Sequence, residues 1–297
     1  MTDLFIPANQ RSELVSLALE WMAQGRLLAM VTLVNNAGNS PYPVGTQMLD
    51  DDKGRYYGQI TGGCAERAIA DQAVTAINTK QNYLQRYGLN SPYFDIQLPC
   101  GSGIDVFIDV LQPLEGYQEI HNCLVNRRCY TQTLALEDMQ FNKHYQPSPR
   151  LILAGQGDLL IKTSCMALAA GFDVMCVAQN QDTLDLARDS DLAAVSLDAC
   201  ADLASNCDSY TGVISLFHEH DFEIDILRKA IGSDAFYIGA LGSTRTHERR
   251  LTALRAQGCN EAELARIYGP VGVNILARTP TQIAVSIIAQ AISSLNS

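Results

Sequence analysis

No segment of the 297 residues is apolar for long enough to cross a bilayer. The opening stretch MTDLFIPANQRSELV carries acidic and polar residues where a secretory signal needs a basic start and an apolar run. Both features predict a cytoplasmic protein. Basic residues are also short: 21 Lys and Arg stand against 32 Asp and Glu, a net charge of −11. Such a field repels nucleic-acid backbones and anionic membranes, so neither is an expected partner. No Cys-x-x-Cys pair occurs among the nine cysteines, which argues against both a disulfide framework and a paired-cysteine zinc site. Most of these thiols read as small buried hydrophobes. Internal repeats and low-complexity segments are missing too. What remains is a globular chain, 47% hydrophobic, with length for two ordinary domains.

The seam falls near QPSPR (146–150), where two prolines precede an apolar run. After it, strand and helix patterns alternate. Strands are predicted at 151–154, 173–178, 193–197, 212–217 and 235–240, and helices at 158–170, 182–188, 222–231, 244–257 and 280–295. That alternation predicts a Rossmann-like, doubly wound parallel sheet with helices on both faces. Before the seam the pattern is mixed α/β. Leu14, Leu17, Ala18, Trp21 and Met22 recur at helical spacing, residues 27–34 read as a buried strand, and TQMLDDDKGRYYGQI as a hairpin. Residues 64–77 read as a helix entered through Thr61-Gly62-Gly63. Two strands flank a Pro-Cys-Gly-Ser-Gly turn within 94–111, with a helix at 115–128 and a strand at 129–137. The expected division is therefore an N-terminal domain over 1–112, a connecting segment over 113–149 and the Rossmann-like domain over 150–297.

The stretch LILAGQGDLL (151–160) places a Gly-x-Gly turn where a dinucleotide-binding unit begins. A working fingerprint also needs a third small residue and an acid after the second strand for the ribose hydroxyls. Here Gly155 and Gly157 supply the first two positions, Leu160 stands at the third, and Gln179-Asn180 holds the acid's place. Asp158 adds a negative charge beside the donors a phosphate would use, and is itself a candidate cap for them. The turn predicts the fold, with weakened NAD(P) affinity. Arg245, Arg249, Arg250 and Arg255 form a basic cluster suited to a small anion.

Further stretches are GTQML (45–49), ITGGCAERAIADQA (60–73), LPCGSGIDVFI (98–108), LFHEHDFEIDIL (216–227), YIGALGSTRTHERRLTALRAQG (237–258) and IYGPVGVNILARTPTQIAVSIIAQ (267–290). In that order and spacing the chain resembles the XdhC/CoxI family of xanthine dehydrogenase accessory factors, over nearly its whole length. The Gly-Gly-Cys-x-Glu turn and the Gly-Pro-Val-Gly…Thr-Pro-x-Gln-Ile-Ala tail are the most specific parts. The resemblance implies a chaperone that binds molybdenum cofactor, protects it during sulfuration and delivers it to a hydroxylase of the xanthine dehydrogenase type. A cysteine desulfurase is the implied sulfur source, and a homo-oligomer stays open. The chain departs from the family pattern at Gly38-Asn39-Ser40-Pro41-Tyr42, at Asp158, at Gln179-Asn180 and at Cys100-Gly101-Ser102.

Molybdenum cofactor is an anionic pterin with a dithiolene and a phosphate or nucleotide tail. A carrier of it needs backbone N–H groups, which glycine-rich turns at helix starts provide. On the N-terminal side the candidates are Gly62, Gly63, Cys64, Glu66, Cys100 and Gly101. Cys64 opens a predicted helix, where the dipole favours an anionic sulfur; a cysteine packed under its turn is the plainer alternative. Glu66 is either a helix-start carboxylate or a hydrogen-bonding partner of the pterin nitrogens. On the Rossmann side the candidates are Gly155, Gly157, His218, Ser243 and Arg245. Strand ends are where open α/β sheets bind ligands, and Ser243 is also positioned to cap a helix. His218 and His220 with Asp221 invite a metal reading against that of solvated loop histidines. The expected site is a cleft between the two halves. The alternatives are an NAD(P)-dependent oxidoreductase and a nucleotide-sensing Rossmann protein.

Overall fold

The computed structural model describes residues 11–38, 42–91, 103–136, 139–200, 207–217 and 220–296. Two compact units meet in the chain at Pro147 and Ser148.

The first unit contains α1 (Arg11–Ala23), β1 (Leu28–Ala37), β2 (Gln47–Asp51), β3 (Tyr56–Tyr57), α2 (Glu66–Thr79), β4 (Tyr83–Gly88), β5 (Gly103–Asp109), α3 (Leu114–Val125), β6 (Tyr130–Ala135) and β7 (Gln140–Tyr145). Five strands form a sheet in the order β3-β2-β1-β5-β4, each neighbouring pair antiparallel. Side chains alternate across it, as period-two geometry requires. Ala29, Val31 and Leu33 of β1 join Met48 and the α2 residues Ile69, Ala73 and Ile77 in one core. Leu28 and Met30 join Leu49 with Leu14, Ala18 and Trp21 of α1 and Tyr117, Ile120 and Leu124 of α3 in the other. Each wholly buried Leu or Ile contributes about 1.5–3 kcal/mol.

Several expectations are revised in this unit. The strand at 27–34 runs on to Ala37, through an irregularity between Leu33 and Asn35. Only one strand of the expected pair in 94–111 lies among the described residues, at Gly103–Asp109. Its antiparallel partner β4 is the stretch YLQRYG, for which the sequence pattern predicts no element. The candidate strand at 129–137 has a hairpin partner in β7.

The second unit contains β8 (Arg150–Gly155), α4 (Gly157–Ala169), β9 (Asp173–Ala178), α5 (Gln181–Asp189), β10 (Ala194–Ser196), β11 (Thr211–Leu216), α6 (His220–Ile231), β12 (Tyr237–Ala240), α7 (Thr244–Ala256), α8 (Glu261–Leu264), β13 (Ile267–Tyr268) and α9 (Pro280–Leu295). The sheet order is β10-β9-β8-β11-β12-β13, parallel throughout. Counted within the unit this is the 3-2-1-4-5-6 order of a Rossmann fold, with its switch point between β8 and β11. Central β8 feeds both faces. Leu151 and Leu153 pack with α4, α5 and α9, while Ile152 and Ala154 pack with α6, α7 and α8. Burial on both faces is why LILA reads as an unbroken apolar run. The short elements α8 and β13 carry too few residues to register as a pattern.

Candidate functional site

The Gly-Gly-Cys turn of the first unit is built around a carboxylate. Gly62 and Gly63 have φ of 78° and 103°, a left-handed region that favours glycine. This curls the backbone amides of residues 60–63 and 65 around one point. Glu66, only 1% exposed, occupies that point. Its Oε1 accepts from the amides of Ile60 (2.9 Å), Thr61 (2.6 Å) and Gly62 (3.0 Å). Its Oε2 accepts from the amides of Gly63 (2.8 Å) and Ala65 (3.3 Å) and from the Thr61 hydroxyl (2.5 Å). Burial alone would raise the carboxyl pKa, but the Thr61 hydroxyl and the surrounding amides outweigh it and hold it below the ordinary glutamate value. In sequence these amides are free for a phosphate; in the fold the chain fills them with its own anion.

The same arrangement leaves Gly62, Gly63 and Cys64 on the outside. Cys64 is exposed, and the helix begins two residues later, at Glu66. A Cβ added to Gly63 would meet nothing within 4 Å. A thiol thus stands at the top of a turn with open space beside it, on a backbone fixed from beneath. Cys100 and Gly101 lie outside the described residues, so their relation to Cys64 is not described.

In the second unit the two Rossmann glycines serve different ends. A Cβ on Gly155 would lie 2.8 Å from Leu216 Cβ and 3.2 Å from the Leu216 carbonyl carbon, so this glycine lets β8 and β11 approach. Gly157 has φ of 71° and open space around it. Its amide donates to the Thr183 hydroxyl at 3.0 Å. Thr183 belongs to α5, whose N-cap Asn180 accepts from the Thr183 amide at 3.1 Å. The position expected to hold a ribose-binding acid is therefore a helix cap, tied through Thr183 to the glycine turn. Asp158 takes no part in capping α4; it pairs with Lys162 at 2.6 Å on the surface.

Ser243 caps α7, accepting from the Thr246 amide at 3.2 Å, and both Ser243 and Arg245 are exposed. The basic cluster does not act as one. Arg255 pairs with Glu261 at 2.7 Å. Arg250 is 1% exposed and pairs with the equally buried Glu223 of α6 at 2.6 Å. Arg250 also donates to the Leu241 carbonyl at 2.6 Å and lies 3.2 Å from His247 Nδ1. No short motif flags this network, because Glu223 and Arg250 are 27 residues apart. His218 lies outside the described residues. Among the described residues no group of three His, Cys, Asp or Glu could hold a metal ion, and no helix is long and apolar enough to cross a membrane.

The second unit is thus a parallel-sheet Rossmann domain with a modified glycine turn, and the first an antiparallel α/β unit built around a carboxylate-filled Gly-Gly-Cys turn. The sequence profile of the XdhC Rossmann domain matches residues 151–291, and that of the XdhC and CoxI family matches residues 21–88. The molybdenum cofactor insertion chaperone PaoD of Escherichia coli is 31% identical over 97% of this chain and 90% of its own. A probable xanthine dehydrogenase subunit of Bacillus subtilis is 22% identical over 89% of this chain and 92% of its own. The crystal structure of a xanthine dehydrogenase from Bacillus halodurans has the same fold, with a TM-score of 0.79 at 19% identity over 96% of both chains. The chain belongs to the XdhC/CoxI family.

Proposed function

We propose that this protein binds molybdenum cofactor as cargo and delivers it to a molybdenum hydroxylase of the xanthine dehydrogenase type. The observation that carries the reading is the end-to-end similarity to an insertion chaperone, 31% identity across 97% of the chain. The geometry of the Gly-Gly-Cys turn supports it. An exposed thiol beside two exposed glycines has room for a bulky guest, and sulfur is a suitable neighbour for a molybdenum dithiolene. Glu66 is a positioning residue in this scheme: both of its oxygens are consumed by the turn, and it holds Cys64 outward. Cys100 and Gly101 are the proposed contacts from the second glycine-rich motif. On the Rossmann side Gly157, His218, Ser243 and Arg245 are the proposed ligand contacts. Gly155 acts only through strand packing.

Carrying and handing over a cofactor requires no turnover, so the protein is assigned as a maturation factor and not as an enzyme. Sulfuration of the cargo, with a cysteine desulfurase as donor, is the finer part of the same proposal. Equilibrium dialysis of the purified protein against molybdopterin released anaerobically from a molybdoenzyme tests it. Retention by the wild type with weaker retention by Cys64→Ala is the expected result. No retention by the wild type overturns the assignment. Equal retention by both removes the thiol from it. NADH retained in place of the pterin would return the domain to nucleotide chemistry.

A further inference from the structure

His247 sits in the first turns of α7, four residues after the Ser243 cap and three before buried Arg250, on the face of the helix these residues share. Its ring lies against the backbone of Gly269, the residue following β13, where any Cβ would collide with it. The nitrogen facing Arg250 is Nδ1, at 3.2 Å from Nη1. A guanidinium has only donors, so Nδ1 has to accept. The ring proton therefore resides on Nε2. Burial and the adjacent Arg250 charge both push the imidazole pKa down, with Glu248 opposing weakly, so the neutral ring persists at pH 7.

The guanidinium that sets this tautomer is fixed in turn. Glu223 Oε1 takes it at 2.6 Å, the Leu241 carbonyl at 2.6 Å, and Ser215 of β11 lies 3.5 Å from the same Glu223 oxygen. Ser215, Leu241 and Gly269 place the network at the carboxyl ends of β11, β12 and β13. That is the edge at which open parallel sheets take ligands. His247 Nε2 has no hydrogen-bond partner among the described residues, and it is not among their sealed, unpartnered polar atoms. A buried ion pair is expensive to desolvate and contributes little net stability against an apolar substitute. Here it holds the guanidinium beside one imidazole nitrogen.

We propose that His247 is a ligand-binding residue that offers its Nε2–H to an acceptor oxygen of the molybdenum cofactor, and that the Glu223–Arg250 pair selects the tautomer that makes it a donor. This rests on the function proposed above. A pterin carbonyl and a phosphate oxygen both present the required acceptor.

Histidine-¹⁵N NMR with the same released molybdopterin tests the proposal, using His247→Gln to assign the resonances. In the free protein at pH 7, Nδ1 should give an unprotonated and Nε2 a protonated signal, and Nε2 should shift on addition of the pterin. In dialysis, His247→Phe should bind about tenfold more weakly, the loss of one good hydrogen bond. His247→Gln, which returns an N–H near the Nε2 position, should stay within about threefold of wild type. A merely structural histidine would give neither the Nε2 shift nor the glutamine rescue. A protonated Nδ1, or an unshifted Nε2 with equal binding by the phenylalanine variant, overturns the proposal and leaves the chaperone reading standing. A wild type that retains no molybdopterin overturns both.

Discussion

Replacing Glu66 by glutamine is the sharpest test of how the Gly-Gly-Cys turn is held. The carboxylate accepts six hydrogen bonds, three on each oxygen. In Glu66→Gln one oxygen becomes an NH₂ group. At the Oε1 position it would face three backbone amides; at Oε2 it faces the Gly63 amide, while the Thr61 hydroxyl can turn to accept from it and the Ala65 amide keeps its bond to Thr61 Oγ1 at 2.9 Å. The side chain takes the second orientation, so with one amide stranded and the charge lost from the remaining bonds the variant should lose about 1–3 kcal/mol of stability. Trp21, the chain's single tryptophan, lies in the same unit, so urea unfolding followed by its fluorescence reads the loss directly. The pH dependence fixes the cause. The folded-state pKa of Glu66 is depressed, so its stabilisation is present above the unfolded value of about 4.3 and disappears as pH falls through the folded one. Wild type and variant should therefore converge in acid. A difference below about 0.5 kcal/mol at pH 7, or one that stays constant down to pH 3, would refute the reasoning.

Asp50 makes the opposite prediction. It is fully buried, and neither of its oxygens has a hydrogen-bond partner among the described residues. Burial, with help from the neighbouring Asp51 charge, raises its pKa well above the ordinary value. The unfolded carboxyl ionises first, so stability falls as pH rises above about 3.9, at up to about 1.4 kcal/mol per pH unit. Asp50→Asn should remove that slope from the urea curves, and a variant that kept it would contradict the assignment. Arg250→Met takes from buried Glu223 its guanidinium partner, and should cost about 3–5 kcal/mol in denaturant unfolding, most of it restored by adding Glu223→Leu. Failure of the double variant to recover would mean that the pair does more than neutralise itself. Gly155→Ala forces a methyl group onto Leu216 and should cost about 1–3 kcal/mol by thermal unfolding, whereas an unchanged melting temperature would deny the close approach of β8 and β11.

The second unit is legible in sequence because its strands are buried on both faces and its helices are long. LILAGQGDLL could hardly be another element, and the predicted strand at 151–154 and helix at 280–295 fall almost residue for residue on β8 and α9. In the first unit β4 leaves no such signal. YLQRYG is half-exposed and carries Gln and Arg, so it becomes a strand only through its pairing with β5. Glu66 is visible as a helix-start acid, but its partners Ile60 and Thr61 lie upstream of two positive-φ glycines, and no linear spacing rule brings them within reach. Thr183 and Arg250 teach the same lesson over longer separations, of 26 and 27 residues. Sequence periodicity locates a turn or a helix; the side chain that stoppers or steers it arrives from elsewhere in the fold.

A loop that folds around a borrowed anion usually slackens when the anion leaves. The loop before α2 has its counter-charge built into the chain, covalently anchored one residue past Ala65. The turn needs no external anion to keep its outline, because Glu66 already takes the amides that a phosphate or sulfate would use. Under the function proposed above, a guest arriving at Cys64 would meet a turn that its own carboxylate already holds in place.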